Sequence, residues 1–160
     1  MKQEIEEKEL TEHLHIVSFK IGDEEYGVDI LNVQEINKMT AITKVPNSPV
    51  FVEGVINLRG RIIPVIDFRT RLKLSRKAHD KETRIIIVEF DGITLGFIVD
   101  SVSEVLRIPV DIVEAPPSII AGIDSDFIKS VGKLEDRLLI LIDLKKVLFV
   151  DDKNNLKEVA

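Results

Sequence analysis

The sequence predicts a mostly β protein built as two small barrels side by side, with short helices between the strands. Ile and Val dominate the apolar residues, and their branched side chains favour strands. Alternating apolar segments are separated by tight turns, which is typical of half-buried strands. The chain also repeats itself, and a repeat indicates two copies of one architecture. Closing about five short strands on themselves in each copy removes exposed sheet edges.

The first half reads as two hairpins, each followed by a short helix. Alternating apolar residues over 17–21 predict the first strand, and residues 25–28 return antiparallel to it. Apolar residues spaced about one helical turn apart then predict a short helix over 29–36, which carries Val33. A loop with two prolines, Pro46 and Pro49, separates this helix from the second hairpin.

The second hairpin has strands at 51–58 and 61–66, joined by a tight turn at Arg59 and Gly60. Pro64 has no amide donor, which predicts an edge strand or a bulge at that point. Asp67 begins a short helix that ends at Leu72. A polar linker over 73–82 follows.

The second half repeats this order. The predicted elements are a hairpin with strands at 84–90 and 93–99 around Asp91-Gly92, a helix over 100–106, an irregular loop with Pro109, Pro116 and Pro117, a hairpin with strands at 127–134 and 137–142, and a final helix from Asp143 to about Val150.

The duplication appears at two offsets. Residues 55–69 align with 131–145 at an offset of 76, and residues 27–36 align more weakly with 96–105 at an offset of 69. These offsets predict a charged tail at 1–12, a first barrel at 13–82, a second barrel at 83–150 and a C-terminal tail at 151–160. Each barrel alone has a marginal core, so we expect a shared apolar layer between them. Boundary strands that cross from one barrel to the other remain open.

Four aspartates precede the predicted helices, and we interpret them as N-caps. They are Asp29, Asp67, Asp100 and Asp143. A carboxylate at this position accepts hydrogen bonds from free helix amides and meets the positive end of the helix dipole. Their recurrence in both halves favours architecture over an acid–base pair.

Composition and motifs argue against several function classes. The net charge of -6 disfavours nucleic-acid binding, and the absence of cysteine excludes disulfides, thiolate zinc sites and a cysteine nucleophile. The three histidines, His13, His15 and His79, are expected to be solvated, and we expect no catalytic residue, metal or cofactor. The longest apolar run, at 138–142, is too short for a bilayer span of about 20 residues. The acidic N-terminus does not resemble a signal peptide, so we expect a cytoplasmic protein.

Four segments carry a family resemblance, and together they reach from about residue 14 to residue 150. They are residues 22–36, 51–60, 63–67 and 136–143. The run Gly54-Val-Ile-Asn-Leu-Arg-Gly60, followed by Ile63-Pro-Val, is the most specific of them. The sequence closely resembles the CheW coupling proteins of bacterial chemotaxis.

The resemblance implies two five-stranded SH3-like barrels and no enzymatic activity. It also implies an adaptor that joins the cytoplasmic signalling tip of chemoreceptors to the regulatory domain of the histidine kinase CheA, at membrane receptor arrays. By position it assigns receptor binding to Val33, Glu35, Arg59 and Val105. It places the kinase-facing edge at Gly54, Val55, Asn57, Ile62 and Ile63.

Simpler roles stay open for these residues. Val33 and Val105, interpreted as last-turn residues of two helices, either line a groove between the barrels or belong to the core. Arg59 either faces a partner or holds its own turn, and we hypothesise that it pairs with Glu35. Arg61 corresponds to Arg137 in the second half, which suggests a structural role. Which of Arg59 and Arg61 faces a partner stays open.

Two other functions remain as alternatives to the adaptor. One is a regulatory domain that binds a small ligand in the cleft between the barrels. The other is an oligonucleotide-binding barrel, which the acidic charge disfavours.

Overall fold

The computed structural model of the chain describes residues 13–115 and 127–149, which form eleven strands, two short α-helices and two 3₁₀ turns. The strands are β1 (His13–Ile21), β2 (Glu24–Asp29), β3 (Val33–Lys38), β4 (Val52–Leu58), β5 (Arg61–Asp67), β6 (Arg84–Phe90), β7 (Ile93–Val99), β8 (Ser101–Pro109), β9 (Val113–Glu114), β10 (Ile128–Lys133) and β11 (Leu138–Ile142). The helices are α1 (Phe68–Arg71) and α2 (Leu144–Phe149), and the 3₁₀ turns cover Ile30–Asn32 and Val110–Ile112. The predictions for residues 1–12, Pro116, Pro117, Val150 and residues 151–160 lie outside the described residues.

The strands form two sheets of the same design. Sheet I has the order β3-β6-β7-β5-β4, and sheet II has the order β8-β1-β2-β11-β10-β9. In each sheet one central pair is parallel, β5 with β7 in sheet I and β11 with β2 in sheet II, and the other pairs are antiparallel. The mostly β, duplicated architecture is therefore confirmed.

The two sequence halves exchange their first hairpins. Hairpin β1–β2 lies in sheet II beside β8 and β11, and hairpin β6–β7 lies in sheet I beside β3 and β5. The boundary expected between residues 82 and 83 therefore does not separate the sheets, because each sheet draws strands from both halves. We call sheet I with α1 unit I and sheet II with α2 unit II.

Each sheet curls so that its edge regions meet, as in a small barrel. In unit I, Glu35 on edge strand β3 pairs with Arg59 at the end of the opposite edge strand β4. In unit II, Glu104 on edge strand β8 pairs with Arg137 in the turn between β10 and β11. The ion pair between the two edges of sheet I requires a strongly curled sheet, and the matching strand order gives unit II the same SH3-like form.

The core has three apolar layers. A cluster that includes Ile85 and Ile87 fills unit I, and a cluster that includes Ile16 and Leu139 fills unit II. The largest cluster draws side chains from both sheets, so the expected shared layer is present. Its centre is an aromatic group with ring centroids 5.3–5.9 Å apart, formed by Phe19, Tyr26, Phe68 and Phe97. The edge-to-face contacts of Phe68 with Phe19 and Tyr26 join helix α1 of unit I to strands β1 and β2 of unit II.

Two predicted helices are wrong. Residues 29–36 form one 3₁₀ turn and then β3, and residues 101–109 form β8 instead of the helix expected over 100–106. Val33 and Val105 therefore lie on strands. Strand β3 completes the edge of sheet I against β6, and β8 does the same for sheet II against β1. Branched residues fit these pleated edges better than a short helix, which gains little from its few internal hydrogen bonds.

Pro64 lies in an interior strand, so the predicted edge strand is wrong. Strand β5 runs between β4 and β7, and the bulge in its hairpin is at Val52–Gly54, opposite Val65 and Ile66 and next to Pro64. Val55, opposite Pro64, directs its backbone hydrogen bonds to Thr43. The parallel ladder with β7 starts only at Val65. The missing proline amide therefore costs neither ladder a hydrogen bond.

Three of the four aspartates expected as N-caps accept a capping hydrogen bond. The bonds run from Leu31 N–H to Asp29 at 2.9 Å, from Arg69 N–H to Asp67 at 3.0 Å and from Lys146 N–H to Asp143 at 3.3 Å.

The expectation that Asp100 is a helix N-cap is wrong, because strand β8 follows it in place of a helix. Its carboxylate accepts a hydrogen bond from Gly22 N–H at 2.7 Å and two from the Arg69 guanidinium at 2.9 and 2.5 Å. Asp100 therefore joins the β1–β2 turn of unit II to helix α1 of unit I.

In the described part of the chain, no helix is both long and apolar enough to cross a membrane.

Candidate partner-binding surfaces

The hypothesised charge pair between Glu35 and Arg59 is confirmed. Arg59 Nη2 lies 2.7 Å from Glu35 Oε1. The hydrogen bond from Arg59 is the largest influence and lowers the pKa of Glu35. Desolvation acts in the opposite direction, and the positive charge of Arg59 adds to the lowering. The arginine side chain remains 73% exposed, whereas that of Glu35 is 27% exposed. Glu35 therefore orients a guanidinium that still faces solvent.

The tight turn that carries Arg59 has left-handed backbone at both central residues. Arg59 has φ 52° and Gly60 has φ 85°, which matches the turn type that suits the twist of a two-residue hairpin. Asn57 Oδ1 accepts a hydrogen bond from Gly60 N–H at 2.8 Å and fixes the turn. The geometry holds Arg59 at the tip of the β4–β5 hairpin.

Comparison of the two units separates the roles of Arg59 and Arg61. At the offset of 76, Arg61 corresponds to Arg137, and Arg59 corresponds to Glu135. Arg137 bonds Glu25 at 2.6 Å and Glu104 at 3.2 Å, and Arg61 bonds Thr94 Oγ1 at 3.1 Å. Arg61 and Arg137 are equivalent, and each stabilises its own barrel through these side-chain bonds. Arg59 has no arginine counterpart in unit II.

The two valines with a predicted receptor role have different environments. Val33, at the start of β3, is half-buried and packs against the shared core layer. Val105 lies on β8 opposite Val17, and 57% of its surface is exposed. The set of Val33, Glu35, Arg59 and Val105 is thus divided between the units, with Val105 alone on unit II.

The residues expected at the kinase-facing edge divide into exposed and buried groups. Ile62 is 56% exposed, Asn57 is exposed and Val55 is half-buried. Ile63 is 1% exposed inside the unit I core, and Gly54 is buried. Gly54 and Ile63 cannot touch a partner directly, which corrects their assignment as contact residues.

Gly54 has a backbone reason to be glycine. Its φ is 151°, and a Cβ atom there would lie 2.2 Å from the carbonyl oxygen of Thr43. The close approach allows Thr43 and Val55 to exchange two backbone hydrogen bonds of 2.9 and 2.8 Å. Gly54 therefore shapes the strand that carries Val55 and Asn57.

Two further exposed apolar residues were missed from the sequence. Ile36 is 39% exposed and Leu138 is 59% exposed, and they correspond by the repeat to Val105 and Ile62. The same two positions are thus apolar and exposed in both units. The repeat alignment contained this signal, but the helix expected over 29–36 concealed that Ile36 faces outward from an edge strand.

The histidines show one difference from expectation. His79 is exposed, but His13 and His15 are half-buried at the start of β1, and His15 Nε2 is buried. Within residues 13–115 and 127–149, no group of three or more His, Asp and Glu side chains is arranged to hold a metal ion.

Comparison with known proteins supports the resemblance. The family model for the CheW-like domain matches residues 15–150. The chemotaxis protein CheW of Klebsiella aerogenes is 36% identical over 142 residues, covering 89% of this chain and 86% of that protein. CheW of Bacillus subtilis is 37% identical over 136 residues, covering 83% and 85%. The chain belongs to the CheW-like family.

A solved CheW-like structure agrees with the fold. The crystal structure of the scaffolding protein TtCheW from Thermoanaerobacter tengcongensis matches with a TM-score of 0.80 and 43% sequence identity, covering 86% of this chain and 94% of that one. These relatives support a role as a chemotaxis adaptor, and they give no support to the small-ligand alternative. The exposed residues described above are therefore the candidate surfaces through which an adaptor would contact its partners.

Proposed function

We propose that this protein couples the cytoplasmic signalling tip of chemoreceptors to the regulatory domain of the histidine kinase CheA, and that it does so without a catalytic step of its own. The observation that carries the proposal is Arg59, because Glu35 holds it outward and unit II has no counterpart to it. Although Arg59 pairs with Glu35, its side chain stays 73% exposed, so the oriented guanidinium is available to a partner.

The receptor surface is proposed to centre on Arg59 and Glu35. Side chains held in one geometry lose little further entropy when a partner binds. Val33 supports the surface from the shared layer beneath β3, and Val105 offers an apolar contact on unit II. A receptor helix with an apolar stripe and an acidic residue beside it has the chemistry to bind these groups.

The kinase surface is proposed to centre on Ile62, with Asn57 and Val55 beside it on the β4–β5 hairpin. An exposed β-branched side chain on a curled sheet suits an apolar contact with the kinase regulatory domain. Gly54 and Ile63 act from inside, by holding the hairpin in shape.

Coupling requires that the contacts differ between the signalling states of the receptor. Single contacts need only modest affinity, because assembly in an array raises the effective concentration of each partner. We therefore place the protein in the cytoplasm, recruited to membrane receptor arrays.

A pull-down with a receptor signalling tip and the CheA regulatory domain tests the proposal. We expect Arg59→Ala and Val33→Lys to weaken receptor capture about tenfold or more, since removing one anchor at an interface costs about 1–2 kcal/mol or more. Arg61→Ala is the matched control and should retain receptor capture, because Arg61 braces its own barrel.

The same mixture tests assembly. The receptor tip and the kinase domain together should retain more of the protein than either does alone. Equal capture by Arg59→Ala, Arg61→Ala and the unchanged protein would contradict the receptor surface. Capture that does not increase in the three-component mixture would contradict the coupling role.

A further inference from the structure

Linker 73–82, the segment that joins the two halves of the chain, lies on the surface and is held there by charged side chains. All of its residues are exposed. Arg76 forms an ion pair with Glu53 on β4 of unit I. Lys77 Nζ lies 4.0 Å from Asp100 Oδ2, at the junction of β7 and β8. The linker is therefore attached at two separate places by charge, without a deeply buried side chain.

Asp100 is itself firmly held, at the point where the chain leaves β7 of unit I and enters β8 of unit II. The side chains of Asp100 and Arg69 share two hydrogen bonds and are only 13% and 17% exposed. Arg69 Nη1 also donates a hydrogen bond to the carbonyl oxygen of Ser75 in the linker, at 3.1 Å. The linker side chains of Arg76 and Lys77 are 63% and 47% exposed. Because exposed ion pairs are weak and are screened by salt, the linker contacts break more easily than the Asp100–Arg69 pair.

The charges around the attachment at Asp100 have both signs. Asp80 Oδ2, also on the linker, lies 3.5 Å from Lys77 Nζ and attracts the same lysine. Three further charged side chains line the open cavity beside Asp100, namely Lys20, Asp23 and Glu82. The linker is therefore held by individual ion pairs and not by a net attraction, so it can detach while both units stay folded.

The two attachment points lie on the strands of the two proposed partner surfaces. Glu53 is on β4, two residues before Val55 of the kinase surface. Asp100 directly precedes β8 and lies five residues before Val105 of the receptor surface. The linker thus connects the strand that carries the receptor contact of unit II to the strand that carries the kinase contact of unit I.

We propose that linker 73–82 is a regulatory strap that couples the receptor surface to the kinase surface. In the fastened state, Arg76 and Lys77 hold β4 and the start of β8 in one arrangement. In the released state, the two strands shift independently. A receptor that binds one of these states more tightly thereby changes the affinity for the kinase, and the kinase changes the affinity for the receptor by the same factor. This inference rests on the proposed function, because it assigns the regulation of those two surfaces.

A spin label tests whether these ion pairs fasten the linker, because the chain has no cysteine of its own. The label is attached through Ala78→Cys. Arg76→Gln with Lys77→Gln should sharpen its electron paramagnetic resonance spectrum, and so should about 1 M salt, which screens exposed pairs. Lys73→Gln with Lys81→Gln is the matched control, since it removes the same charge from linker side chains outside the pairs with Glu53 and Asp100. A spectrum that neither salt nor Arg76→Gln with Lys77→Gln changes would overturn the strap.

The coupling is measured as the ratio of the affinities for a receptor signalling tip with and without a saturating CheA regulatory domain. We expect a ratio of about five or more for the unchanged protein and for the control, and of about one for Arg76→Gln with Lys77→Gln. Each partner alone should bind all three proteins equally, since the altered residues belong to neither surface. Urea unfolding checks that both double variants are folded.

The outcomes separate the strap from the proposed function. A ratio of five or more that persists in Arg76→Gln with Lys77→Gln would overturn the strap and leave the adaptor role intact. A ratio of about one in the unchanged protein would contradict the coupling role itself, and the strap with it.

Discussion

At the scale of single residues, Gly54 and Gly60 lie on the same hairpin and are glycine for different reasons. Gly54 is buried with the Thr43 carbonyl against it, whereas a Cβ atom at Gly60 would have no atom within 4 Å. A loss of partner binding at Gly54 would therefore reflect damage to the hairpin instead of a lost contact. Gly60 needs only its positive φ of 85°.

We predict that Gly54→Ala lowers the free energy of unfolding by about 3 kcal/mol or more, because it adds a steric clash to backbone strain. The matched change Gly60→Ala should cost about 1 kcal/mol, from left-handed strain alone. Urea unfolding of the two variants measures the difference. Equal losses would show that Gly54 does not have the close backbone contact described here.

Asp100 shows how one carboxylate supports two units. Burial is the largest single influence and acts to raise the pKa of Asp100, but the hydrogen bonds from Arg69 and Gly22 and the nearby positive charges together outweigh it. The pKa of Asp100 is thus lowered from its ordinary value of 3.8. A lowered pKa in the folded state stabilises the protein above the ordinary value and loses that effect as the pH falls through the folded-state pKa.

We predict that Asp100→Asn lowers the free energy of unfolding at pH 7 by about 2 kcal/mol. This is the typical contribution of hydrogen bonds to a charged group that has little exposure to water. The difference from the unchanged protein should shrink below about pH 4, where the carboxylate of the unfolded chain is protonated. Urea unfolding at pH 7 and pH 3 checks this. A difference that stays constant with pH would contradict the role of the Asp100 charge.

At the scale of elements, Arg71 on α1 connects the two helices and the two hairpins. Its guanidinium lies 4.5 Å from the ring centroid of Phe51 and 4.6 Å from that of Phe127, and Nε donates to the Val147 carbonyl at 3.1 Å. Phe51 and Phe127 are equivalent in the repeat, and so are Arg71 and Val147. The arginine therefore lies between equivalent positions of the two units, near their relating axis.

We predict that Arg71→Ala lowers the free energy of unfolding by about 2–3 kcal/mol, from two cation–π contacts and one hydrogen bond. Arg71→Lys should recover less than half of this loss, because an ammonium group has no flat face to stack between two rings. Thermal and urea unfolding measure both variants. Full recovery by lysine would show that charge alone, without stacking, is what matters at this position.

At the scale of the whole molecule, the exchange of hairpins ties the two halves together. Unit I has β6–β7 from the second half, and unit II has β1–β2 from the first half. The shared aromatic group also draws from both halves, with Phe19 and Phe68 from the first and Phe97 from the second. The first half alone lacks β6 and β7 of sheet I, and the second half alone lacks β1 and β2 of sheet II.

We predict that fragments 1–82 and 83–160 show no cooperative unfolding when each is prepared alone, because neither contains a complete sheet. Mixing the two fragments should restore a single cooperative transition, since together they supply every strand. Circular dichroism during urea titration gives the readout, and the intact chain is the control. Cooperative unfolding of either fragment alone would contradict the exchange.

Tight turns, helix starts and the internal repeat could be predicted from the amino-acid sequence alone. Asp91-Gly92 and Arg59-Gly60 specify tight turns through residues that tolerate positive φ, and Asp67 and Asp143 mark helix starts through capping chemistry. The same local signals led to the family resemblance. These features were predictable because each depends on a few neighbouring residues.

The identity of β3 and β8 and the exchange of hairpins depend on contacts between distant parts of the chain, so they became visible in the folded structure. The three-residue spacing of Val33 and Ile36 fits one face of a helix, but hydrogen bonds to β6, about fifty residues away, place both residues on a strand, where Val33 is half-buried and Ile36 is exposed. Asp100 likewise precedes a strand because β1 offers β8 a long partner. Pairing between distant strands depends on which segments of the chain meet in space. The free energy of that pairing cannot be inferred from the residues next to each strand.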